Sequence, residues 1–204
     1  MGIPTSQNLW LIEGELFMAE RAHPEDSGFQ IGSIYRTNLF KRYNFAAKYT
    51  KDKDILDIPC GVGWGTSLLP AKSKIGIDIS PEAIDYALSR YTDAIFKVGY
   101  MEDIYLPDNS VDVVVCLEGY EHISEITGIE FLAEAIRVLR KKGLLVLSCP
   151  IITFGRKHSG NPHHLYEPTI AEIYEILCSR FNLVKSEIFS GPDNPIMYFV
   201  GEAL

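Results

Sequence analysis

The sequence predicts an α/β fold: a doubly wound, mostly parallel sheet with helices on both faces and an antiparallel C-terminal edge. Three observations lead to it. From Asp54 onward, short apolar runs of strand length alternate with helical runs, as in a parallel sheet built from β-α-β units. Several of the short runs are apolar almost throughout, as strands covered on both faces are. The last third breaks the alternation, because two β-like runs follow each other across the turn Gly191-Pro192-Asp193-Asn194-Pro195.

The elements follow in order. Residues 1–50 read as helical and irregular, with Tyr35, Leu39, Phe40, Tyr43, Ala46 and Ala47 on one face of a helix. Strands are expected over 54–58, 74–78, 94–98, 111–117 and 143–149. A helix over 81–91 starts after Ser80, a good N-cap, with Pro81 in the first helical position. An amphipathic helix over 129–139 is expected to end in Arg140, Lys141, Lys142 and Gly143, a cationic last turn and a stop glycine. Residues 151–168 make a long connection of the kind that in compact domains is either functional or disordered. A helix over 168–180 and strands over 181–190 and 195–204 close the chain. The 204 residues suit one core: a helical cover over 1–50, a ligand-binding core over 54–150, a lid-like loop over 151–168, and a C-terminal helix with edge strands over 169–204.

Composition narrows the function. Hydrophobic residues make up 47% and charged residues 23%, the balance of a soluble globular protein. Acids outnumber bases 27 to 19, a net charge of −8, so nucleic acid is not expected as a partner. The longest uninterrupted apolar runs, 113–117 and 196–200, fall far short of the roughly 20 residues of a membrane span. The first basic residue is Arg21, so the positive start of a secretory signal is missing. A cytoplasmic protein with no membrane partner, monomeric or homodimeric, is expected. Cys60, Cys116, Cys149 and Cys178 form no CxxC pair and read as buried free thiols, and no metal site is expected.

The most informative stretch is ILDIPCGVGWGT, residues 55–66, a glycine-rich turn between a strand and a helix. Three alternate glycines let a ligand approach backbone N–H groups closely. Asp57, at the strand's carboxyl end, would repel a pyrophosphate and attract an ammonium, which argues against a dinucleotide. Asp78 ends the second strand and is placed to accept both hydroxyls of a ribose. After the third strand, Met101 can pack on an adenine while Glu102 or Asp103 accepts from its amino group. Glu118 closes the fourth strand. A carboxylate for a cation, an acid for a ribose and acceptors for an adenine together fit S-adenosylmethionine.

With ILDIPCGVGWGT, VGYMEDIYLPDNSVDVVVCLEGYEHI (98–123) and RVLRKKGLLVLSCP (137–150) in this order, the chain resembles class I S-adenosylmethionine-dependent methyltransferases. FMAERAHPEDSGF (17–29), KRYNFAAKYTKDKDILD (41–57) and NPHHLYEPTIAEIYEIL (161–177) are similar to a branch that acts on small molecules or glycans. The resemblance implies a Rossmann-like, seven-stranded sheet. It also implies S-adenosyl-L-methionine as cofactor, with S-adenosyl-L-homocysteine as product. Carried over residue by residue, Asp57, Pro59, Cys60, Gly61 and Gly63 surround the methionine part. Asp78 takes the ribose, with Ile79 beside the adenine that Met101 and Glu102 hold. Leu117 and Glu118 lie near the methionine moiety, and Arg42 is a candidate for its carboxylate. Two positions depart from the family: Pro59 replaces the usual first glycine and removes an N–H donor, and Tyr100 stands where an aspartate is usual.

Methyl transfer from a sulfonium is an in-line displacement, so positioning supplies much of the rate, and a base is needed for a hydroxyl acceptor. His163 and His122 are the candidate catalytic residues, since imidazole titrates near neutrality. Arg156, Lys157 and His158 make the 151–168 loop basic, suited to an acidic or phosphorylated acceptor. The expected reaction is methyl transfer to a small-molecule or carbohydrate acceptor, at oxygen. Two other readings share the fold: a non-catalytic partner subunit, favoured by Pro59 and Tyr100, and a nicotinamide-dependent oxidoreductase, opposed by Asp57.

Overall fold

The computed structural model describes residues 9–12, 15–18, 23, 34–152, 160–189 and 195–204. The chain runs β1 (Leu9–Ile12), β2 (Glu15–Met18), α1 (Ile34–Thr50), β3 (Asp54–Asp57), α2 (Trp64–Leu68), β4 (Ser73–Asp78), α3 (Pro81–Arg90) and β5 (Ile95–Val98). It continues with β6 (Val111–Leu117), a 3-10 turn (Tyr120–His122), α4 (Glu125–Val138), β7 (Leu139–Pro150), α5 (Ile170–Cys178), β8 (Phe181–Phe189) and β9 (Ile196–Ala203). Seven strands form one sheet in the order β5-β4-β3-β6-β7-β9-β8. Its first five strands pair parallel, and β9 pairs antiparallel with both β7 and β8. The α/β, doubly wound sheet with an antiparallel C-terminal edge is the fold the sequence predicts.

Strand periodicity divides the core into two layers. Along β6, Val114 and Cys116 join the layer that holds Phe131, Leu132, Ala135 and Val138 of α4. Val113 and Val115 face the other way, into the layer that holds Leu39, Tyr43, Phe45 and Ala46 of α1. Fully burying one such side chain contributes about 1.5–3 kcal/mol, so the apolar run 113–117 holds both helix layers to the sheet.

Three local expectations are corrected. The start is not wholly helical: Leu9–Ile12 and Glu15–Met18 pair as an antiparallel hairpin. Helix α4 starts at Glu125, where the Ser124 side chain accepts from the Thr127 N–H, and stops at Val138. Arg140, Lys141 and Lys142 therefore belong to β7 and not to a helical last turn. The strand register slips there, from Val111↔Leu139 to Val113↔Leu144, and Lys142 takes φ 64°. Arg140 reaches Asp54 and Asp112 at 2.8 and 2.9 Å, and these ion pairs tie the slip to β3 and β6. Third, Cys178 is exposed, while Cys60, Cys116 and Cys149 are buried free thiols.

The basic residues 156–158, the turn residues 191–194 and most of the 17–29 lead-in lie outside the described residues. Among the described residues, no helix is long and apolar enough to cross a membrane.

Candidate active site

Strand β3 lies between β4 and β6, so the strand order reverses at its carboxyl end, where open α/β sheets bind ligands. The turn after β3 is tied to both neighbours: the Ile58 N–H donates to Val115 O (2.9 Å) and the Cys60 N–H to Ile77 O (2.8 Å). The three glycines of this turn have different reasons. Gly61 takes φ +56° with open space where a side chain would be, and its N–H donates to Asp78 Oδ2 at 2.9 Å. A Cβ on Gly63 would lie 2.8 Å from Ala87 and Phe96, and one on Gly65 would lie 1.9 Å from the Tyr43 ring. Only Gly61 leaves room for close ligand approach, and the other two are set by packing of α1, α3 and β5.

Asp57 lies beneath the turn and is fully buried. The Thr66 hydroxyl donates to its Oδ2 at 2.6 Å, and Tyr43 adds a second side-chain hydrogen bond. Burial pushes this carboxyl up to about 7, and the two hydrogen bonds only partly offset the cost.

Above the turn is an open cleft of about 150 Å³. Its wall contains Pro59, Asp78, Ile79, Met101, Glu102 and His122 of the sequence candidates. Asp78 accepts from the Gly61 N–H with one oxygen and from the Ser80 N–H (3.0 Å) with the other. Each carboxylate oxygen keeps further acceptor capacity for a hydroxyl. Ile79 and Tyr100 stand out into solvent at 51% and 53% exposure, whereas Met101 is buried.

Arg42 and Glu118 form an ion pair (2.9 Å) between α1 and the end of β6. Ser148 donates to the other Glu118 oxygen at 2.7 Å, and Tyr198 hydrogen-bonds Arg42. Burial first of all pushes the Tyr198 hydroxyl up to about 12. Arg42 Nε is buried and has no hydrogen-bond partner among the described residues.

The structure does not bring every candidate to the cleft wall. Cys60 packs with Ile84, Ala87 and Phe96, and Leu117 belongs to the α1-side core. Gly63 is filled over by α3 and β5. His122 lines the cleft, while His163 meets it through its backbone, its carbonyl oxygen lying 3.0 Å from His122 Nδ1. Ile58, Gly99, Gly119 and Ile123 of the wall are not among the sequence's site candidates. A Cβ on Gly119 would lie 2.2 Å from Pro59 Cδ, so the proline lies flat against that glycine. A glycine directly after Glu118, at the end of an apolar strand, was the available signal.

A family profile described as a methyltransferase domain matches residues 56–147. The chain is 35% identical over 140 residues to a probable S-adenosylmethionine-dependent methyltransferase of Mycolicibacterium smegmatis, covering 66% of this chain and 54% of that protein. It is 28% identical over 148 residues to a ubiquinone biosynthesis O-methyltransferase of Rickettsia bellii, covering 70% and 57%. The chain thus spans about half the length of the curated relatives it matches. Among solved structures, the PH0226 protein of Pyrococcus horikoshii superposes with a TM-score of 0.70 at 19% identity, covering 86% of this chain and 94% of that one.

Proposed function

Residues 56–147 belong to the methyltransferase domain family, and on that premise we propose that the protein transfers a methyl group from S-adenosylmethionine to an oxygen of a small-molecule or carbohydrate acceptor. The observation that carries this reading is the convergence of Asp78, Met101, Glu102 and His122 on one cleft at the reversal of strand order. The buried Nε of Arg42 is a spare donor suited to a carboxylate, which the amino-acid tail of that cofactor carries.

When bound, S-adenosylmethionine supplies a methyl group already activated on a sulfonium, which becomes a neutral thioether as the methyl leaves. Asp78 accepts the ribose hydroxyls while the Gly61 and Ser80 N–H groups hold the carboxylate still. Ile79 and Met101 pack against the adenine, and Glu102 accepts from its amino group. Glu118 holds Arg42 toward the methionine end. Asp57 acts from below, fixing the turn through Thr66 and the α1 helix through Tyr43. His122 takes the proton that the acceptor hydroxyl loses as its oxygen bonds the methyl carbon. Oxygen as the target agrees with the Rickettsia bellii relative's name.

Calorimetric titration with S-adenosylhomocysteine tests the cofactor assignment. Binding of one equivalent supports it. Absence of binding by a folded chain, or binding of NAD in its place, overturns it.

A further inference from the structure

We propose that Glu121, His122 and His164 form a binding site for one first-row divalent transition ion, such as Zn²⁺ or Mn²⁺, at the edge of the cleft. One carboxylate oxygen and two ring nitrogens from these residues lie within 4.8 Å of one another. Two imidazoles and a carboxylate are the donor set that such ions prefer, whereas Mg²⁺ and Ca²⁺ favour oxygen alone. Metal–ligand bonds of about 2.0–2.2 Å place donors on one ion about 3–3.5 Å apart, so side-chain ends need to close by roughly an ångström. The sequence expectation of no metal rested on cysteine spacing, which leaves this set unexamined.

The backbone brings the donors together. Glu121 and His122 belong to the 3-10 turn that follows β6, and His164 arrives from the later part of the long connection. That segment is pinned to the turn: the N–H groups of Leu165 and Tyr166 donate to Glu121 O at 2.8 and 3.2 Å. The two rings stand edge to face, their centroids 5.3 Å apart.

The neighbours fix which ring nitrogen carries the proton and which the lone pair. His122 Nδ1 lies 3.0 Å from the His163 carbonyl, so in the neutral ring Nδ1 carries the proton and Nε2 keeps its lone pair. His164 Nδ1 lies 2.5 Å from Glu167 Oε1, the carboxylate–imidazole pairing that orients metal-binding histidines. Its Nε2 then has the lone pair, which in the ion's absence meets the Asn161 amide at 3.0 Å. Glu121 is buried, 1% exposed, and a cation bound by its carboxylate and the two rings offsets the cost of burying that charge. Because His122 also lines the cleft, an ion there meets the acceptor. This last step rests on the proposed methyl transfer and gives His122 a different part in it: with the ion bound, His122 is a ligand in place of the base, and the ion, as a Lewis acid, lowers the pKa of the acceptor hydroxyl, whose proton leaves to solvent.

The test is metal binding by the full chain without cofactor or acceptor, so its failure leaves the cofactor assignment untouched. EDTA-treated protein is dialysed free of chelator and titrated with Zn²⁺ and Mn²⁺ in a calorimeter. The expected result is one equivalent bound, at least tenfold weaker in His122→Ala and in His164→Ala, and retained in His163→Ala. No binding of either ion, or binding unchanged in both variants, overturns the proposal. Should the variants fail to fold, wild-type protein loaded with Co²⁺ decides. Paramagnetically shifted imidazole resonances from two histidines support the site, and their absence overturns it.

Discussion

Asp78 holds the cleft together before it holds any ligand, because its oxygens already receive the Gly61 and Ser80 N–H groups. Asp78→Ala therefore removes both the proposed ribose acceptor and the clamp on the turn. It is expected to weaken S-adenosylhomocysteine by roughly 1–3 kcal/mol, the cost of leaving polar groups unpaired. Unchanged affinity in a calorimeter would show that the ribose is held elsewhere. The two candidate histidines separate at the same scale. His122 presents its side chain to the cleft, and His163 supplies a backbone carbonyl that any residue retains. His122→Ala is expected to lower turnover by about 10²-fold or more with little change in cofactor affinity, and His163→Ala to stay near wild type. The reverse order in a labelled-methyl assay would exchange their roles. The sequence reading put His163 first, since both follow strands in polar loops and His163 lies in the long connection, and only the fold shows that His122 is the one that lines the cleft.

At the scale of elements, what was legible was local. Ser80-Pro81 marks the start of α3, the strand expected over 111–117 is β6 to the residue, and the acids at strand ends sit where strand periodicity puts them. What was hidden came from partners distant in sequence. The β1–β2 pair is the apolar tetrad LWLI and the run ELFM two residues on, a hairpin spacing obscured by the helical reading of its surroundings. The basic run 140–142 looked like a helix end until Asp54 and Asp112 gave Arg140 a place in the sheet. The Glu121–His164 cluster joins residues more than forty positions apart, which no spacing rule reaches. Gly65 shows the same dependence on a distant element, since Tyr43 of α1 occupies the space where its side chain would be. Gly65→Ala is expected to push α1 outward and to cost about 1–3 kcal/mol, the range for overpacking a core. Because Arg42 precedes Tyr43 on that helix, cofactor affinity is expected to fall with stability. A urea midpoint unchanged from wild type would show that α1 is not seated by this contact.

The molecule as a whole carries two sets of carboxylates that pull its pH dependence in opposite directions. Asp54, Asp112, Glu134 and Glu172 are held below their ordinary range: Asp54 chiefly by its Ser73 hydrogen bond, Asp112 by the Asp54 N–H and Arg140, Glu134 by Arg137, and Glu172 by the Thr169 cap. Groups of this kind stabilise the fold above the ordinary carboxylate pKa and lose that contribution as pH falls through their folded values. Asp57 is the opposite case, with a folded pKa pushed up to about 7 by burial against an ordinary value of 3.8. Between those limits the folded chain keeps a proton that the unfolded chain has released, so this group lowers stability as pH rises from about 4 to about 7. Asp57→Asn keeps an acceptor for the Thr66 hydroxyl and removes the titration. Relative to wild type, the variant is expected to gain stability steadily across that window and to run parallel to it above and below, with the difference reaching a few kcal/mol. Urea unfolding of both proteins at several pH values measures that difference directly, with the remaining histidines and carboxylates cancelling between them. A difference independent of pH would mean that Asp57 ionises normally beneath the turn. The same titration reaches the binding step through the turn, because the carboxylate that fixes Thr66 and Tyr43 lies under the cleft. If a cationic cofactor above it favours the ionised form, binding near neutral pH releases a proton in wild type and none in Asp57→Asn, and calorimetry in two buffers of different ionisation enthalpy separates the two.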